Sequence, residues 1–189
     1  MKYALVTGGS RGIGRAVCVR LARMGYHVLV NCVDRIDEAE HTLELVRQEG
    51  QDGEVLKFDV GNRVQVSAVL EAWMEKHPEE YIEVLVNNAG VLGASMPNAT
   101  EEAFDKVIDT NLKGVFFLSQ LFGGYLKANK VEGNILNVGS SSCLRPATSA
   151  YTLSKWGIRG LTLGLAKSLA PYGVTVNGIR PGLRPPRCC

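Results

Sequence analysis

Along the chain, short runs rich in apolar residues alternate with longer stretches whose apolar residues return every three or four positions. The short runs are Ala4-Leu5-Val6, Val28-Leu29-Val30, Glu54 to Phe58, Ile82 to Val86, Asn134 to Val138 and Val174 to Ile179. They are apolar on both faces and bounded by glycine, aspartate or asparagine, as buried strands are. The longer stretches read as helices. Arg15 to Met24 places Val17, Leu21 and Met24 on one face and stops at Gly25. Ile36 to Glu49 reads as an exposed helix ended by Gly50, and Asn62 caps a helix from Arg63 to Lys76. Thr100, with Glu101 and Glu102 in the first turn, opens a long helix to about Ala128, and another covers about Ser149 to Ala170. Six strands alternate with five helices, which predicts an α/β fold: a doubly wound parallel sheet with helices on both faces.

Composition narrows the class. The 189 residues are 46% hydrophobic and 21% charged, values of a folded domain that needs no disulfides to hold its core. The length predicts one domain. A net charge of +2 gives no reason to expect nucleic acid. No apolar run approaches the ~18 residues of a membrane span, and the N-terminus runs directly into strand-like sequence. These features predict a cytoplasmic protein without a membrane partner. Of the 5 cysteines, Cys18, Cys32 and Cys143 stand alone and no Cys/His cluster suggests a metal, while Cys188 and Cys189 end the chain as an unusual pair.

The first strand runs into Thr7-Gly8-Gly9-Ser10-Arg11-Gly12-Ile13-Gly14 and then a helix. Gly8 suits a tight turn at the strand end, Gly12 lets backbone approach a pyrophosphate, and Gly14 lets helix and sheet pack closely. The amides at the helix start would face the phosphates. Strand, glycine loop and helix at the head of a βαβ unit form a Rossmann-like dinucleotide site. An acid at the end of the second strand would mark NAD. Here the strand ends Asn31-Cys32-Val33, followed by Asp34 and Arg35. With Cys32 near the acid's place, and Arg11 and Arg35 available to a 2′-phosphate, NADP is favoured over NAD. Asp34, one or two positions on, keeps NAD open.

Ser140 and the run Tyr151-Thr152-Leu153-Ser154-Lys155 carry the chemistry. Residues i and i+4 share a helix face, so Tyr151 and Lys155 can reach one site. A neighbouring ammonium favours the phenolate of a tyrosine and so helps it trade protons. Ser140 follows the fifth strand, at the carboxyl edge where such sheets bind ligands, and its hydroxyl can bond a substrate oxygen.

These pieces resemble the classical short-chain dehydrogenase/reductases, nearest to the 3-oxoacyl-acyl-carrier-protein reductase type. The matching residues are Thr7-Gly8, Gly12-Ile13-Gly14, Asp59-Val60, Asn87-Asn88-Ala89-Gly90, Asn111-Leu112-Lys113-Gly114, Ser140, Tyr151, Lys155 and Arg180-Pro181-Gly182. The resemblance implies a sheet in the order 3-2-1-4-5-6 and hydride transfer between NADP(H) and a ketone or secondary alcohol, with a 3-oxoacyl thioester among the candidates. It implies that Tyr151 is the general acid/base, Lys155 binds ribose, Ser140 polarises the carbonyl and Asn111 supports a proton relay. Asp59 and Val60 would meet the adenine. Asn87, Ala89 and Gly90 would line the adenine–ribose side, and Pro181 and Gly182 the nicotinamide. Gly8, Ser10, Arg11, Gly12, Ile13, Gly14 and Arg35 complete the cofactor set. The partners implied are a small carbonyl or alcohol substrate and, for the intact family form, further copies of the chain through the two long helices.

Two departures qualify the match. Ser140 lies eleven positions before Tyr151, a residue or two closer than the family's usual spacing, with Ser141 and Ser142 beside it. After Gly182 the sequence reads Leu183-Arg184-Pro185-Pro186-Arg187-Cys188-Cys189. Family members continue there with a substrate-covering segment and a seventh strand. The expectation is a single NAD(P)-binding domain over 1–182, incomplete at its C-terminus and without the seventh strand, and a non-family tail over 183–189. A one-base deletion in codons for Gly-Pro-Pro-Ala-Thr-Pro-Met-Leu reproduces that tail, which suggests a frameshift. The alternative function is then a dinucleotide-binding fragment of weak or absent turnover and doubtful oligomerisation.

Overall fold

The computed structural model describes residues 1–182; the expectations for the tail lie outside the described residues. Six strands form one parallel sheet: β1 (Lys2–Val6), β2 (His27–Cys32), β3 (Gly53–Lys57), β4 (Tyr81–Asn87), β5 (Asn134–Val138) and β6 (Thr175–Ile179). Their order is β3-β2-β1-β4-β5-β6. The helices between them are α1 (Gly12–Arg23), α2 (Ile36–Gln48), α3 (Arg63–Lys76), α4 (Glu101–Ile108), α5 (Gly114–Asn129) and α6 (Ala150–Leu169). This is the doubly wound, Rossmann-like architecture that the strand–helix alternation predicts. Among the described residues β6 pairs with β5 alone and forms a sheet edge. No helix among them is long and apolar enough to cross a membrane.

Strands β1 to β5 feed two cores, because successive side chains point to opposite faces, while β6 buries only Val176. Leu5, Leu29, Leu85 and Ile135 lie on one face with Leu70 and Trp73 of α3 and Leu118 and Phe122 of α5. Ala4, Val6, Val28 and Val30 lie on the other with Cys18 and Leu21 of α1 and Leu43 and Val46 of α2. Val84 and Leu136, on the second face, are only half buried.

Caps set several helix starts where the sequence places them. Asn62 accepts from the Gln65 amide at 3.2 Å and Thr100 from the Ala103 amide at 3.3 Å. Three readings change. The helix read as exposed, α2, buries Ala39, Thr42, Leu43 and Val46. Met24 does not share the buried face of Val17 and Leu21: it is the C-cap residue of α1 and is 59% exposed. The long helix expected from Thr100 to Ala128 is two helices joined by a π turn at Asp109–Lys113. That turn lets the chain pass Val60. A Cβ at Gly114 would stand 2.6 Å from the Val60 carbonyl oxygen.

Candidate active site

The strand order reverses between β1 and β4, and the crevice outside their carboxyl ends is where such sheets take ligands. Two adjoining cavities occupy it. One, of 730 Å³, runs under the glycine loop; the other, of 450 Å³, opens beside Ser140 and Tyr151. Ile13, Asn88, Gly90 and Val91 line both.

The glycine loop is built from left-handed glycine backbone and carbonyls that face α2. Gly8 and Gly12 have φ of +61° and +57°, a region where a side chain is unfavourable. A Cβ at Gly14 would lie 2.1 Å from the Gly8 carbonyl oxygen, so only glycine lets α1 approach β1 this closely. The Arg15 guanidinium donates to the Ser10 carbonyl at 2.6 Å and to Thr42 Oγ1 at 3.1 Å, and pairs with the Glu38 carboxylate. Thr42 Oγ1 in turn lies 3.2 and 3.3 Å from the Gly9 and Ser10 carbonyl oxygens. With those carbonyls held toward α2, the other side of the loop is left to its amides. Arg11, at the N-cap, offers α1 no side-chain cap. The first-turn amides therefore have no protein acceptor and form a ready anion site.

Two asparagines fasten the loop from below. Asn31 Oδ1 accepts from the Gly8 amide at 3.1 Å, while its Nδ2 donates to the Leu56 and Phe58 carbonyls at 3.1 and 2.9 Å. Asn88 Nδ2 donates to the Thr7 and Gly8 carbonyls at 2.9 and 3.1 Å. Thr7 Oγ1 accepts from the amides of Asn88 and Ala89 at 2.9 and 3.0 Å. Asn87 takes a different place from the one the sequence reading gives it. Its side chain turns into the sheet, where Nδ2 donates to Ser119 Oγ at 3.0 Å and Asn137 Oδ1 at 2.9 Å, and it lines neither cavity of the cleft.

The remaining cofactor candidates gather as expected. Gly8, Ser10, Arg11, Gly12, Ile13, Gly14, Arg35, Asp59, Val60, Ala89 and Gly90 all line the larger cavity. Cys32, Asp34 and Lys106 line it too. Asp59 Oδ1 accepts from the Gly61 amide at 2.8 Å, which fixes its carboxylate at the cavity floor. Pro181 and Gly182 border the smaller cavity.

Around that smaller cavity, Ser140, Tyr151 and Lys155 converge from β5 and α6. Lys155 is 5% exposed, donates to the Val138 carbonyl at 2.8 Å and lies 5.7 Å from the centre of the Tyr151 ring. Burial pushes its ammonium down to about 8. Ser140 Oγ accepts from the Ser142 amide and donates to Ser142 Oγ, both at 3.1 Å.

Asn111 is fully buried in the π turn and stands behind the cavity rather than in it. Its Oδ1 accepts from the Val91 amide at 2.8 Å and its Nδ2 donates to the Val91 carbonyl at 2.9 Å. The same Nδ2 lies 3.3 Å from Ser154 Oγ, which donates to the Tyr151 carbonyl at 2.7 Å. Asn111 thus ties the strand that leaves β4 to the turn of α6 that bears Tyr151. Thr7, Asn31, Thr42, Asn88, Ser142 and Ser154 go unassigned in the sequence reading. Thr7 and Asn88 lie inside the quoted motifs, whereas nothing in the sequence marks the Arg15–Thr42 pair, which meets only when α1 and α2 pack.

A doubly wound sheet, a phosphate-ready glycine loop and a Tyr–Lys–Ser cluster at one crevice define an NAD(P)-dependent oxidoreductase. A family model described as short chain dehydrogenase matches residues 2–185, and the chain belongs to that family. A 3-oxoacyl-[acyl-carrier-protein] reductase of Staphylococcus aureus is 36% identical over 191 residues, covering 96% of this chain and 74% of the relative. A metagenomic short-chain oxidoreductase solved in complex with NADP superposes with a TM-score of 0.88 at 30% identity, over 97% of this chain and 83% of that one. An NAD⁺-bound xylitol dehydrogenase superposes with a TM-score of 0.87, also at 30% identity, over 96% of this chain and 70% of that one.

Proposed function

We propose that the protein interconverts a ketone and its secondary alcohol with NADP(H), using Tyr151, Lys155, Ser140 and Asn111. The observation that carries this reading is Lys155: an ammonium buried without a carboxylate partner, bonded to a main-chain carbonyl and set beside the Tyr151 ring. Burying such a charge is costly, so a functional task explains it better than a structural one.

The residues present fit a dinucleotide. The uncapped amides of α1 with Ser10 suit its pyrophosphate, Asp59 and Val60 its adenine, and Ala89 and Gly90 the ribose side. Tyr151 and Lys155 suit the second ribose, and Pro181 and Gly182 the nicotinamide. Arg11 and Arg35 beside Cys32 favour the 2′-phosphate of NADP, while Asp34 in the same cavity is the feature that would serve NAD. When bound, the dihydronicotinamide supplies a hydride to the carbonyl carbon. The Tyr151 hydroxyl gives its proton to the carbonyl oxygen as negative charge grows there. Ser140 turns its hydroxyl from Ser142 to that oxygen, and Lys155 stabilises the tyrosinate left behind. Asn111 holds the Tyr151 turn in register.

The name of the Staphylococcus aureus relative makes a 3-oxoacyl thioester a rational first substrate. A half-exposed apolar groove between α5 and α6, including Phe116, Leu165 and Leu169, supports self-association through those helices, which sedimentation equilibrium measures. The central test is NADPH oxidation with a panel of ketones and thioesters. Tyr151→Phe is expected to lower kcat by about 10²–10⁴-fold with NADP⁺ binding retained, as loss of an acid/base group does. A Tyr151→Phe variant as fast as wild type removes the reading.

A further inference from the structure

Among the described residues with charged side chains at the 450 Å³ cavity, Lys155 belongs to the proposed reaction and Arg145 has no part in it, and none of those residues lining the space is an aspartate or glutamate. Arg145 follows the 3₁₀ turn Ser141–Leu144, and its backbone is held at both ends. Its amide donates to the Ser142 carbonyl at 3.1 Å, and its carbonyl accepts from Trp156 Nε1 at 2.9 Å. Pro146 follows and favours the extended conformation seen, φ −113° and ψ 154°. Because Ser142 also bonds Ser140, the position of Arg145 is set relative to the residue proposed to hold the substrate oxygen. The facing loop is fastened to the same segment, since the Met96 amide donates to the Thr148 carbonyl at 3.1 Å. Among the described residues Arg145 forms no ion pair, unlike Arg15, Arg23 and Arg47, each of which meets a carboxylate.

Arg145 is an exposed residue, and an exposed arginine on an open surface would by itself say little. This one lines the reacting cavity from a backbone fixed in place, and the cavity offers a second cation but no acid. Lys155 has its ammonium on Val138, which leaves Arg145, whose guanidinium is a planar fork matched to a carboxylate, as the cavity's cation without an acidic partner among the described residues. The nicotinamide proposed beside Pro181 and Gly182 would share this 450 Å³, which suits a short substrate.

We propose that Arg145 selects short keto acids, binding the carboxylate of the substrate while its ketone oxygen rests on Ser140 and Tyr151. The proposal rests on the reading of the site as a ketone reductase. In the step itself the carbonyl π bond breaks, a hydride forms the new C–H bond, the Tyr151 proton forms the O–H bond, and the dihydronicotinamide is oxidised. The carboxylate is unchanged.

The experiment compares acetoacetate with methyl acetoacetate under NADPH, in wild type, Arg145→Met and Arg145→Lys. Wild type is expected to favour the acid in kcat/KM by about 10-fold or more, the size of a charge-assisted contact. Arg145→Met loses that preference through KM rather than kcat, and its loss on the ester is smaller by at least about fivefold. Arg145→Lys keeps part of the preference, having the charge without the fork. Calorimetric titration of the NADP⁺-loaded protein with malonate gives a readout without turnover: wild type binds, and Arg145→Met binds at least about 10-fold more weakly. Equal kcat/KM for acid and ester in wild type, or unchanged malonate binding in Arg145→Met, overturns the proposal. If wild type reduces no ketone at all, the reductase reading falls while the malonate titration still decides whether Arg145 is an anion site.

Discussion

Lys155 holds its charge in a place nearly closed to water, and its pKa falls from 10.5 to about 8 through burial. The sign of the consequence follows from proton counting. Between those two values the unfolded chain keeps a proton that the folded chain has lost, so stability rises with pH over that window. Its size is on the order of 3 kcal/mol at most, from about 1.4 kcal/mol per unit. Burial raises the Cys18 thiol to about 12 and acts in the opposite direction above pH ~9, so chemical denaturation of the cofactor-free protein at about pH 7.5 and about pH 10 is expected to show a more positive change in wild type than in Lys155→Met. An equal slope in both proteins would show that burial does not act on this lysine. Tyr151, Lys155 and Ser140 were legible because one helical turn and one strand end fix their relation along the chain. Asn87 and Asn88 were not separable, because adjacent residues at a strand end point to opposite sides. Only the packed sheet shows that Asn87 joins Ser119 and Asn137 in the interior while Asn88 secures the glycine loop.

Helix starts follow local chemistry, and Asn62 and Thr100 cap where the sequence places them. The π turn between α4 and α5 is different, since its cause lies fifty residues earlier in the chain, at Val60. Gly114→Ala tests that account by setting two effects against each other. Alanine favours a helix over glycine by about 1 kcal/mol. Overpacking against a rigid neighbour costs about 1–3 kcal/mol, and here the new Cβ would meet a backbone carbonyl 2.6 Å away. The contact is expected to win, and urea unfolding should report a net loss of stability. A gain would mean that the chain relaxes there without cost. Because Val60 lines the larger cavity, NADP⁺ affinity should fall in the same variant.

The two cavities join at the point where the strand order reverses, so a bound dinucleotide would contact β1, β2, β4, β5 and α6 together. NADP⁺ is therefore expected to stabilise the fold as a unit. At 100 times its dissociation constant the gain is about 2.7 kcal/mol, read as a rise in Tm that NAD⁺ matches only at higher concentration. An equal rise with both cofactors at equal concentration would remove the assignment of Arg11 and Arg35 to a 2′-phosphate. The chain spans 74% of the length of its Staphylococcus aureus relative, and both cavities are formed within the described residues. Sequence determined the parts whose causes are local. The strands came from apolar runs, the starts of α3 and α4 from capping side chains, the proposed anion site from glycines between strand and helix, and the Tyr–Lys pair from helical spacing. Folding in three dimensions decided which polar side chains face the cleft and which hold it from behind. Asn31, Asn88, Asn111 and Arg15 act through partners 20 or more residues away, apart from the loop that Arg15 also braces. Such contacts exist only once the sheet has brought distant segments within hydrogen-bonding reach.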